Sequence, residues 1–172
     1  MTRIEKFIQL KAFARQDALL LSLLWIISFA CIVIVQAGAI GNLIALATPF
    51  VVGRRLCKFR DYALDGHISF RRAYAYGVYT FFYASLIFAL AQFAYFQFLD
   101  HGTFANTVAE AMALVAPVYK QNGMTQAQIN ESMDMVRMLT PIQWAFMFMM
   151  QNLLTGAIVS LPIAAICKRN AQ

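Results

Sequence analysis

Residues 18–53 read ALLLSLLWIISFACIVIVQAGAIGNLIALATPFVVG, 36 positions without an Asp, Glu, Lys or Arg. A helix needs roughly 20 apolar residues to cross a hydrocarbon layer about 30 Å thick. The stretch is too long for one crossing and fits two of about 18 residues. Its midpoint, Gln36-Ala37-Gly38-Ala39-Ile40-Gly41, puts two glycines and a polar residue where a tight helical hairpin would turn. Two more uncharged stretches follow, 27 residues over 73–99 and 30 over 138–167, each enough for one span. We therefore expect four helices, at about 18–36, 39–56, 74–98 and 142–167. Barrel strands would alternate apolar and polar residues, and Ala18-Leu19-Leu20-Leu21 does not.

Composition agrees. The 172 residues are 61% hydrophobic and 13% charged, with a mean hydropathy of +0.62. Soluble domains run at roughly 45–50% and about 25%. Disorder, a secreted disulfide scaffold and an ordinary soluble enzyme are excluded. The expected fold is all-α, a single domain over 1–172. It is an integral membrane four-helix bundle with a short helical extracytoplasmic segment, about 100–141, between helices three and four.

Lys and Arg favour the cytoplasmic side of a membrane. Arg3, Lys6, Lys11 and Arg15 precede the first span. Arg54, Arg55, Lys58, Arg60, Arg71 and Arg72 gather around the link between spans two and three. Lys168 and Arg169 follow span four, so these places hold twelve of the fourteen basic residues. The long link between spans three and four has only Lys120 and Arg137 against four acids, Asp100, Glu110, Glu131 and Asp134. Both termini are thus expected in the cytoplasm, with the chain in a bacterial cytoplasmic (inner) membrane. The net charge of +6 reads as a topology signal and not as a nucleic-acid footprint. A cleaved leader ending at Ala37-Gly38-Ala39 would be longer than the usual 15–30 residues.

Outside the spans, Ile4, Phe7 and Ile8 follow helical spacing among Lys and Arg. They suit either an interfacial helix on the inner leaflet or a charged extension of helix one. Thr103 to Tyr119 carries helix formers up to Pro117, and Gln121-Asn122-Gly123 turns. Thr125-Gln126-Ala127-Gln128 fits a capping box, starting a helix to about Leu139 before Thr140-Pro141 breaks it. Its Met133, Val136 and Met138 suit an adaptable binding surface or a cap over the bundle.

No Asp, Glu, Lys, Arg or His lies in the interior of any proposed span, and Arg54 and Arg55 sit only at the inner end of helix two, which argues against a coupled transporter and against an intramembrane protease or transferase with a buried charged catalytic group. Cys31, Cys57 and Cys167 read as small packing residues. His67, in the turn Asp65-Gly66-His67, and His101, after Asp100, do not make a metal site. No catalytic residue, metal or cofactor is expected.

Three residue sets are candidates for other roles. Arg54, Arg55, Lys58, Arg71 and Arg72 could hold a lipid phosphate, since clustered cations beside a membrane attract anionic head groups; the same residues also serve to set topology. Tyr79 and Tyr83, with Asn152 and Thr155, could line a polar pocket or bond between helices. Ala37, Gly41 and Ala45, and Gly156, Ser160 and Ala164 after Asn152, recur at steps of four and would let helices approach closely.

The chain also resembles a family. Arg54-Arg55 ends a span, Leu64-Asp65-Gly66-His67-Ile68-Ser69-Phe70 follows, and a basic-aromatic entry leads to Gly77. Phe98-Leu99-Asp100, the acidic outer segment and an Asn-x-x-x-Gly final helix ending Ala-Ile-Cys-Lys-Arg complete the pattern. This is similar to the bacterial membrane proteins grouped as domain of unknown function 4199. The resemblance implies a small four-helix inner-membrane protein and brings no assigned reaction; it also implies a link to lipid-linked sugar metabolism.

The expected function is that of a non-enzymatic multi-pass membrane protein, an accessory or scaffold subunit. Its partners would be membrane lipids and a membrane protein or a second copy, with no nucleic acid. The alternatives are a binder or carrier of a lipid phosphate, such as a polyprenyl-linked sugar or an anionic lipid, and a facilitator for a small neutral solute.

Overall fold

The computed structural model describes residues 2–35 and 37–169. Its helices are α1 (Arg3–Val33), α2 (Gly38–Leu46), α3 (Thr48–Ala63), α4 (Phe70–Phe98), α5 (Thr103–Leu114), α6 (Ala116–Gln121), α7 (Gln126–Arg137) and α8 (Pro141–Cys167). No strand forms among the described residues, though Ile68 and Arg169 pair as an isolated antiparallel bridge. The fold is all-α. Four segments are long and apolar enough to cross a membrane: Ile4–Val33, Gly38–Ala63, Phe70–Phe98 and Pro141–Cys167.

Two boundaries differ from the sequence expectation. The first helix starts at Arg3 and not near 18, so the basic leader is an extension of α1 and not a separate interfacial helix. The cause is local. Thr2 and Glu5 form a capping box, in which the Glu5 amide donates to the Thr2 hydroxyl at 3.3 Å and the Thr2 amide to the Glu5 carboxylate at 2.9 Å. Helix-forming residues then carry the turns forward, and Leu10 and Ala14 are buried in the core. Absence of charge marks where a helix turns apolar, not where it begins. Likewise the second span extends to Ala63, past the expected 56, and is interrupted at Ala47. Pro49 has no N–H to offer the carbonyl of Ala45, so the helix restarts there. The Trp25 indole N–H donates to the Thr48 hydroxyl at 2.9 Å and ties this joint to α1. At the α1–α2 hairpin the Ser28 hydroxyl donates to the Gly41 carbonyl at 2.8 Å. Gln36, the polar residue assigned to that turn, lies outside the described residues.

One compact unit comprises the described residues of 1–89 and 148–172. Its core takes Leu10, Ala14, Ala18, Leu21 and Trp25 from α1, Val52, Leu56 and Phe59 from α3, Ala73, Tyr76, Phe81, Ala84 and Phe88 from α4, and Ile163, Ala164 and Cys167 from α8. Aromatic rings run through it: Phe59 stacks on Tyr76 at 5.1 Å, and Trp25 lies 5.9 Å from Phe81 and 5.7 Å from Phe88. Leu19, Leu23, Ile27, Leu43, Leu46, Phe50, Leu154 and Ile158 stay exposed. Water would penalise so much exposed aliphatic surface, whereas lipid tails solvate it.

The second unit comprises residues 90–147. Phe96, Phe104 and Trp144 cluster, with Phe104 set edge-on to Trp144 at 5.1 Å. His101 and Gly102, both at positive φ, make the turn after α4. The buried Asp100 carboxylate then accepts from the Phe104 amide at 3.0 Å near the start of α5. The capping box expected at Thr125 is present, and Ile129 of α7 is buried, as are Ala105 and Ala109 of α5. With 12, 6 and 12 residues, α5, α6 and α7 are too short to span.

Candidate functional site

Asp17 shares the buried face of α1 with Leu10, Ala14, Ala18 and Leu21, at helical steps of three and four. That periodicity carries its carboxylate into the core, where it is 3% exposed. Both oxygens are used. Arg55 of α3 brings Nε and Nη2 to Oδ1, and Tyr76 of α4 donates its hydroxyl to Oδ2. Tyr76 is itself fully buried, and its backbone carbonyl accepts from the Thr80 hydroxyl at 2.8 Å. A lone carboxylate in this place would be strongly disfavoured; a guanidinium and a phenol together offset its lost hydration. Asp17 stands one residue before the uncharged stretch of the first expected span, and because α1 begins earlier than that stretch the same helix carries Asp17 into the core. The missed signal was the helical step linking Asp17 to Leu10, Ala14 and Leu21. Ionisable groups within spans are the default places to look for function.

A cavity of about 150 Å³ adjoins this pair, lined by Phe13, Gln16, Asp17, Arg55, Lys58, Phe59 and Tyr62. Asp17 is paired with Arg55, and the Lys58 ammonium has no acidic partner among the described residues. It lies 5.7 Å from the centre of the Tyr62 ring.

The basic residues proposed for a lipid phosphate separate into two sets. Arg54, Lys58 and Arg71 are exposed and have no acidic partner among the described residues. Arg55 is bound to Asp17. Arg72 donates to the Lys6 carbonyl at 3.3 Å and to Gln9 Oε1 at 3.1 Å, and it lies over the Phe59 ring. Arg60, at the end of α3, is buried; it pairs with Asp61 at 2.7 Å and donates to the Cys167 carbonyl at 2.9 Å. Nothing in the charge pattern separates these structural arginines from the free ones. Only their step along each helix does.

Tyr79 and Tyr83 stack on each other with centroids 6.3 Å apart. They open on different grooves. Tyr79 lies with Tyr74, Ala75, Val78, Phe82 and Leu153, and Tyr83 with Ala12, Arg15, Gln16, Leu19, Leu86 and Ile87. Asn152, half-buried, and Thr155, exposed, line neither groove. The small residues of α8 face α4: a Cβ at Gly156 would strike Phe81, Gly77 leaves room for Ser160, and Ala164 is buried. In α2, Gly41 meets Ile32 and the Ser28 carbonyl, whereas Ala37 is half-buried and Ala45 is exposed.

The family described as Protein of unknown function (DUF4199) matches residues 16–169. The chain belongs to this family. The DUF4199 match begins one residue before Asp17 and takes in Arg55, Tyr76 and Cys167, so the whole buried cluster lies within it. No curated protein and no solved structure matches the chain.

Proposed function

We propose that this DUF4199 chain is a non-enzymatic multi-pass protein of a bacterial inner membrane, with both termini in the cytoplasm, acting as an accessory or scaffold subunit. One observation carries the reading. On the helices too short to span, large apolar side chains stay exposed, with Leu114 at 83% and Met138 at 78%, joined by Val118, Tyr119 and Met135. Exposed apolar side chains of this size outside the spanning segments offer a surface for contact with a partner protein or with the membrane face. The polar groups of the core support the same reading, since Asp17, Arg55, Tyr76, Trp25 and Ser28 hold helices to one another. A photo-crosslinking residue at 114 or 138, in membranes at native expression, should capture a stoichiometric protein or a second copy. Crosslinks to lipid alone, with a lone monomer after mild detergent extraction, would defeat the proposal.

A second reading is favoured by Arg54, Lys58 and Arg71, three exposed cations without acidic partners among the described residues. In this reading they hold the phosphate of an anionic or polyprenyl-linked lipid at the membrane face. Native mass spectrometry of the protein with copurified lipid tests it. Arg54→Ala with Arg71→Ala should strip the bound lipid, and unchanged retention would remove the reading.

A further inference from the structure

Cys57 of α3 and Cys167 at the end of α8 are 110 positions apart in the chain, yet their sulfurs are 3.2 Å apart. Both are free thiols, with Cys57 partly exposed and Cys167 buried. Their surroundings fix them. Arg60, one helical turn beyond Cys57 on α3, donates to the Cys167 carbonyl at 2.9 Å. Two residues further on, Ile68 and Arg169 exchange backbone hydrogen bonds at 2.8 and 3.0 Å, clamping the chain that leaves α8 to the loop before α4. A disulfide bond is about 2.05 Å long, so the sulfurs need to close by only about 1.1 Å.

We propose that Cys57 and Cys167 form a reversible dithiol modification site, oxidised by a low-molecular-weight disulfide of the glutathione type. Cys57, the accessible member, attacks one sulfur of that disulfide. A Cys57 mixed disulfide forms and one small thiolate leaves. Cys167 then attacks the Cys57 sulfur, the protein disulfide forms, and the second small thiolate leaves. Two protein thiols are oxidised, one small disulfide is reduced to two thiols, and those thiols take up the two protons. The product bonds α3 covalently to the end of α8. Cys31 belongs to α1 and takes no part.

The test uses the full chain in detergent micelles or native membranes, treated with oxidised glutathione, then alkylated and mapped by mass spectrometry. The expected result is a Cys57–Cys167 cross-linked peptide, an alkylated Cys31, and return of all three thiols after dithiothreitol. Cys31→Ser should leave the cross-link intact, and Cys57→Ser or Cys167→Ser should each abolish it. Three alkylatable thiols after oxidant, a mixed disulfide that stays on Cys57 unresolved, or a cross-link through Cys31 would each overturn the assignment. Because the readout is a bond and not an activity, it stands apart from the proposed accessory role.

Discussion

Tyr76 donates its hydroxyl to Asp17 while its ring lies stacked on Phe59, so one side chain joins α4 to both α1 and α3. Arg55 completes the arrangement from the other side. Three helices therefore meet at one carboxylate.

Asp17→Asn should lower stability by about 3 kcal/mol, the low end for breaking a buried ion pair, because the Arg55 side chain retains 27% exposure. Tyr76→Phe should cost about 2 kcal/mol, as expected for losing a hydrogen bond to a charged group. The double variant should cost less than the sum, since both changes remove one network. Thermal unfolding in a single detergent measures all three. Simple additivity would show that the groups do not act together.

Arg54→Ala and Arg55→Ala should separate. Arg54 is exposed and has no acidic partner among the described residues, so its loss should leave the melting temperature unchanged and reduce copurified anionic lipid. Arg55→Ala leaves Asp17 without its counter-ion and should lower the melting temperature by several degrees. Equal effects on both readouts would contradict this division of the basic cluster.

Much of this was legible beforehand. Charge-free stretches located four spans, and Thr125 with Gln128 announced the α7 capping box that forms. The start of α1 was not legible from those stretches, because the Thr2–Glu5 box starts a helix well before its lipid-facing part. For the same reason Asp17, one residue before the uncharged stretch, does not read as a core residue from charge alone. Nor could composition tell Arg55 from Arg54, which are adjacent in sequence yet about 100° apart in direction around the helix. The Cys57–Cys167 contact depends on how α3 and α8 pack, and no spacing within the chain encodes it.

Gly156→Ala should destabilise by about 1–3 kcal/mol, because its Cβ would overlap Phe81 and force α4 and α8 apart. Gly77→Ala should behave alike through Ser160. Gly38→Ala is the control: nothing lies within 4 Å of the added carbon, so little change is expected. The same melting assay checks the set, and a tolerant Gly156 would refute close packing of these helices.

In a variant lacking the native cysteines, single cysteines at 58 and 120 should react with a membrane-impermeant maleimide from opposite sides of sealed vesicles. Labelling from one side only would refute the four-span topology.

The position of α8 in the gene has a consequence for biogenesis. Gly77 receives Ser160, Phe81 receives Gly156, and Arg60 receives the Cys167 carbonyl, all from a helix made after its partners. Until translation reaches it, the earlier helices wait in the bilayer with an open flank and an arginine lacking its carbonyl. A stalled or truncated product would display that flank, giving a membrane quality-control protease a means of telling unfinished chains from finished ones.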